Sequence, residues 1–138
     1  MTSINTIQSL SIDFELHGTG WASFNIRADS LELRITASYL SHALKELASG
    51  VIKILENDSD VVFSFDEEPG EYRWCLHRSG QGNIEIEILE FQEYFGQKPD
   101  SEGVSIFHVL CPLKQLGQAT TNTLEQTLKN YGVEGYKK

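Results

Sequence analysis

Seven carboxylates fall in the sixteen positions from Glu56 to Glu71: Glu56, Asp58, Asp60, Asp66, Glu67, Glu68 and Glu71, with no Lys or Arg among them. The densest part, FDEEPGEYRW over 65–74, wraps acids around a Pro-Gly pair and has aromatic residues at either end. Such a cluster has three chemical uses: holding a cation, docking a basic protein, or keeping a loop solvated. Calcium asks for six to eight converging oxygens on a constrained loop. Asp58-Ser59-Asp60 supplies only the start of that pattern, and the spacing D-x-D-x-D-G is absent. A solvated loop is the plainest reading, and a docking surface built on Asp66, Glu67, Glu68 and Glu71 is the functional one.

Cys75 and His77 lie two apart, so on a strand they share a face. A zinc site wants two further ligands, and no CxxC or HxxxH accompanies them. His17, His42 and His108 fall on other elements. A nucleophilic role for Cys75 needs a neighbouring base and an oxyanion hole, which the sequence does not advertise. In IEIEILEF, 84–91, Glu85 and Glu87 form a carboxylate pair. As general acid and base they would have to flank a sugar-sized cleft. On an open sheet face they are expected instead to pair with Arg73 and His77 across a hairpin. HGTGW and SGQGN lack the strand-to-helix setting of a phosphate-binding loop. Trp21 and Phe95 are candidate exposed aromatic anchors, although single exposed aromatics need no function.

The elements that would position these groups follow from periodicity. Leu10, Ile12, Phe14 and Leu16 alternate with polar residues, as do Ala22, Phe24 and Ile26, and then Leu31, Leu33 and Ile35. Short connectors, one of them Asp29-Ser30, make these three strands an antiparallel meander. Leu40, Leu44, Leu47, Val51 and Leu55 change to helical spacing, with Ser38 or Ser41 as the cap, Gly50 as a weak point and Asn57–Asp60 as the end. Strands resume at Val61–Asp66, Glu71–Arg78 and Ile84–Phe91. A loop spans Gly96–Gly103, a strand Val104–Leu110, and a second helix Leu113–Tyr131 follows Pro112 and is closed by Gly132.

The expected fold is α+β: one antiparallel sheet of about seven strands, in the order three strands, helix, four strands, helix, with both helices on one face. A four-residue loop at Glu67–Gly70 sets Phe65 opposite Tyr72 and Asp66 opposite Glu71. Matching the apolar faces sets Trp74 against Ile88 and Leu76 against Ile86. His77 then opposes Glu85, whose carboxylate should raise its pKa. Leu44, Leu47, Val51, Leu116, Leu124 and Leu128 are expected to bury against Phe14, Phe24, Leu33, Phe63 and Trp74.

The 138 residues suit a single domain, 1–138, and the apolar fraction of 40% is that of a globular chain. A net charge of −9 argues against nucleic acid and against an anionic membrane surface. No leader peptide and no run of about 20 apolar residues is visible. Two cysteines without framework spacing suit reduced thiols in a cytoplasm.

The segments ITASYLSHALKELASGVIKIL, FSFDEEPGEYRWCL and NYGVEGYKK resemble a group of small bacterial α+β proteins. That group shares a DEPGE-like hairpin and a C-terminal G-x-x-GY element. The resemblance covers most of residues 21–136 and implies a bacterial source and a common fold. It carries no activity, cofactor or site residues. Immunity proteins that neutralise toxins are also small acidic bacterial domains, an analogy of size and charge alone.

The expectation is therefore a non-enzymatic binding protein, of the immunity type or otherwise, without cofactor or metal, using Asp66, Glu67, Glu68 and Glu71 against a basic protein. The alternative is a small-molecule-binding protein or enzyme with a site between sheet and helices, involving Cys75, His77 or His108. A homo-oligomer joined at sheet edges is the third reading.

Overall fold

The computed structural model describes residues 4–17, 20–38, 42–67, 70–80, 82–92 and 99–137, and leaves the side chains of 67 and 131–137 undescribed. The strands are β1 (Asn5–Thr6), β2 (Leu10–His17), β3 (Trp21–Ala28), β4 (Leu31–Ser38), β5 (Asp60–Glu67), β6 (Gly70–Ser79), β7 (Asn83–Phe91) and β8 (Val104–Pro112). Helix α1 (Ala43–Leu55) separates β4 from β5, a short 3-10 turn spans Asp100–Glu102, and α2 (Leu113–Lys137) closes the chain.

The α+β class and the sequence of long elements are as expected, but the single sheet is not. The strands divide into a five-stranded sheet, β1-β8-β7-β6-β5, and a three-stranded one, β2-β3-β4. The larger sheet is mixed, because the short β1 runs parallel to β8. With only Asn and Thr, β1 has no apolar alternation by which to be found. Each sheet has one apolar face, and burying those faces against each other satisfies both at once. Phe24 of β3 meets Phe65 of β5 with ring centroids 4.7 Å apart, and Phe63 stacks on Trp74 at 5.4 Å.

The hairpin registers are those the apolar faces demand. Trp74 opposes Ile88, Leu76 opposes Ile86 and His77 opposes Glu85. Phe65 opposes Tyr72 and Asp66 opposes Glu71, with pairing extended one step further to Glu67 and Gly70. The intervening Glu68 and Pro69 lie outside the described residues.

The helices do not share one face of one sheet. Helix α1 packs on β5 and β6, while α2 lies along β2 and also touches β8 and α1. Gly50 has a packing reason: a Cβ there would lie 2.5 Å from the Phe63 ring, so only glycine lets helix and strand approach this closely. Helix α1 begins after His42, which is left-handed at φ 51 and provides no side-chain cap. Ser38 belongs to β4, and Leu40 and Ser41 lie outside the described residues. The helix ends as the Asn57–Asp60 segment suggests. Asn57 adopts φ 86, and the Asp58 N–H reaches the Lys53 carbonyl at 3.1 Å, a left-handed C-terminal motif.

Helix α2 is rotated from the expected stripe. Leu116 is buried and Leu124 partly so, but Leu128 is 56% exposed. Thr120 of the expected stripe is buried, and Ala119, Thr123 and Thr127 are buried beside it. The cause is the edge of β2, a polar surface that needs donors and acceptors. Thr123 Oγ1 donates to the Ile12 carbonyl at 2.6 Å, and Gln115 Oε1 accepts from the Leu10 N–H at 3.3 Å. The helix also continues through Gly132 to Lys137 rather than stopping at Tyr131.

Candidate interaction surface

Alternation along β5, β6 and β7 sends every second residue away from the core. The outer face of the larger sheet therefore carries Asp60, Val62, Ser64 and Asp66 on β5, and Glu71, Arg73, Cys75 and His77 on β6. Glu85 and Glu87 of β7 stand opposite His77 and Cys75, and His108 of β8 stands opposite Glu87. Val62, in the middle of β5, is 58% exposed.

Part of this face is built like an interior. Glu71 is only 8% exposed. Its Oε2 accepts from Ser64 Oγ at 2.5 Å and from Arg73 Nε at 3.0 Å. The Arg73 side chain, 12% exposed, donates through Nη1 to Asp100 at 2.7 Å and lies 4.2 Å from the centre of the Phe91 ring. Burial works against the Arg73 charge, but the bonds to Glu71 and Asp100 outweigh it and hold the guanidinium above its ordinary pKa. A bulge between Ile88 and Leu89 lies beside this cluster. Leu89 and Phe91 are buried on the same side, with Gly103 close over them: a Cβ there would come 2.7 Å from the Phe91 ring.

The remainder is acidic, exposed at Asp60 and His77 and half-buried at Glu85, Glu87 and His108. His77 Nδ1 is bonded to Asp60. His108 Nε2 lies 2.5 Å from Glu85 and its Nδ1 3.7 Å from Glu87. His77 is raised above the usual imidazole value, as expected from the sequence, but chiefly by the Asp60 hydrogen bond; Glu85 adds a small attraction. Glu85 and Glu87 thus pair with His108 rather than with Arg73 and His77. Strand register alone cannot choose between the two neighbours of β7, and the second neighbour, β8, is distant in sequence.

Cys75 is half-buried, and its thiol is pushed up to about 11 by burial and by the nearby Asp100 and Glu87 carboxylates. An activated nucleophile needs the opposite shift. Cys111 faces the core, also at about 11 through burial. With β7 between their strands, the two cysteines are at least about 9 Å apart by strand spacing alone, too far to bridge. His17 sits on the smaller sheet beside Ser23 at 2.7 Å and His42 precedes α1, so the histidines do not converge. Among the described residues no group of three His, Cys, Asp or Glu side chains is placed to hold a metal.

Of the residues expected to bind a partner, Asp66 is half-buried on the outer face and Glu71 is turned into the Arg73 cluster. The side chain of Glu67 and all of Glu68 lie outside the described residues, as does Phe95. Trp21 is exposed at the start of β3, on the other sheet. Sequence reading missed the role of Arg73 and Asp100 together. Spacing gives one hint, since Glu71 and Arg73 share a face, but Asp100 arrives from a loop without any pattern. No family model, no curated protein and no solved structure matches this chain. No helix among the described residues is long and apolar enough to cross a membrane.

Proposed function

We propose that the chain is a non-enzymatic interaction protein that docks a basic protein partner on the outer face of its larger sheet. The observation that carries this reading is the charge imbalance of that face. Among the described residues Asp60, Asp66, Glu71, Glu85, Glu87 and Asp100 stand against one guanidinium, Arg73, and two imidazoles, His77 and His108. The Arg73 cluster is the rigid floor, and the carboxylates around it set the field. Acidic Glu67 and Glu68 at the adjacent hairpin extend the same charge in sequence.

Such a surface speeds encounter with a basic protein and rejects acidic ones. Blocking the basic working surface of a toxin, as an immunity factor does, is one role it would serve. Glu71 contributes by holding Arg73, so the contacts fall to Asp60, Asp66, Glu67, Glu68 and Glu85. The test is to capture the partner from the native cell by cross-linking and to measure association at two salt concentrations. The variant combines Asp60→Asn, Asp66→Asn, Glu67→Gln and Glu68→Gln. Slower association by the variant, with the gap closing at high salt, supports the reading. Equal rates for variant and wild type at low salt overturn it.

A further inference from the structure

We infer that a second binding site lies away from the acidic face, in a cleft of about 370 Å³ between β2 and α2, and that it grips the backbone of an extended peptide segment. This inference is independent of the acidic face. Two rows of polar side chains border the cleft: Ser11 and Asp13 on β2, and Asn122, Gln126 and Asn130 on α2. Thr123 closes the floor by donating to the Ile12 carbonyl.

Spacing argues for a peptide. Residues four apart on a helix rise about 6 Å, and residues two apart on a strand about 6.8 Å. An extended peptide repeats its outward amide groups with the latter period, so both rows can stay in step with it over a short stretch. A carboxamide presents a donor pair and an acceptor, matching a peptide unit whatever its side chain. The row is also prealigned. Gln126 Nε2 donates to Asn130 Oδ1 at 3.4 Å, and Gln118 Nε2 donates to Asn122 Oδ1 at 3.1 Å, leaving each amide further bonding capacity.

Charge narrows the ligand. Among the described residues Asp13 is the charged one on the cleft wall, and no Lys, Arg or His lines it. Phosphates and acidic peptides are therefore disfavoured, and a peptide that places a basic residue near Asp13 is favoured. The rotation of α2 fits the same account. It leaves Leu128 exposed while amides and threonines are turned toward β2, an arrangement that apolar packing alone does not select.

The probe is a capped peptide of alternating Thr and Lys, titrated into the labelled protein at millimolar concentration and followed by amide NMR shifts. Controls are the same peptide N-methylated at alternate residues and a neutral disaccharide. The expected result is saturable shifts at Asp13, Asn122, Gln126 and Asn130 with the unmodified peptide only. Affinity should fall about tenfold for Asn122→Ala combined with Gln126→Ala. Equal binding of the N-methylated peptide, binding of the disaccharide alone, or shifts confined to β5–β7 would each overturn the assignment. Since all the altered side chains are exposed, the folded spectrum of the variant separates lost binding from lost structure.

Discussion

The outer faces of the two sheets use similar residues to different ends. On the smaller sheet Arg27 and Glu32 meet at 2.7 Å with both side chains more than half exposed, and Arg34 lies 3.2 Å from His17. Acids and bases there are near balance: Asp13, Glu15 and Glu32 against Arg27 and Arg34. On the larger sheet the carboxylates outnumber the one guanidinium, which is largely covered and bonded to the buried Glu71. An exposed pair is weakened by water and by side-chain entropy. A buried charge has no such fallback, so its partners become structural. The same Arg–Glu chemistry is dispensable on one face and required on the other.

The largest effect expected from this contrast is at Arg73. Arg73→Ala should destabilise the protein by about 3–5 kcal/mol, because Glu71 is left buried without its cation. Arg27→Ala should cost at most about 1 kcal/mol. Urea unfolding of both variants measures the difference, and equal losses would break the comparison. Glu71→Gln should come next, at about 1–3 kcal/mol, since it weakens the bonds to Ser64 and Arg73. Glu32→Gln on the smaller sheet should fall within about 1 kcal/mol.

Cys75 tests the acidity of the larger face kinetically. With its thiol near 11 rather than at the usual 9, its thiolate fraction at pH 8 should be roughly a hundredfold below that of a free cysteine. Iodoacetamide labelling followed by mass spectrometry should show comparably slow modification. Asp100→Asn should speed it, because one of the repelling carboxylates is gone.

The smallest effect is at exposed His77. Its folded pKa is raised by Asp60, so folding stabilises the protonated ring relative to a free imidazole. The associated stabilisation is fully present below the unfolded value of about 6.5 and is lost as pH rises through the folded one. NMR titration of the ring should show a midpoint above the ordinary value, moving down in Asp60→Asn. A midpoint that responds to Glu85→Gln more than to Asp60→Asn would reverse the assignment of its partner.

Local patterns in the sequence determined a good deal. Alternation in Ile84, Ile86 and Ile88 against Glu85 and Glu87 specifies both a strand and its inner face, so the Trp74–Ile88 register follows without coordinates. Leu44, Leu47 and Val51 likewise mark the buried side of α1. Such patterns are short-ranged because the pleat and the helical turn repeat within a few residues. What they omit is which surface each apolar face meets. The division into two sheets, the parallel pairing of β1 with β8 and the turn of α2 toward the β2 edge all join residues far apart in sequence.

The site divides along the same line. The acids around the β5–β6 hairpin are plain in the sequence, and so is the opposition of Asp66 and Glu71. That Glu71 is neutralised by Arg73, and that Asp100 completes the cluster from 27 residues away, only tertiary structure decides. A charge pattern is carried by the chain itself. The partner that cancels or exposes each charge is set by burial and distance, which exist only once the chain is folded.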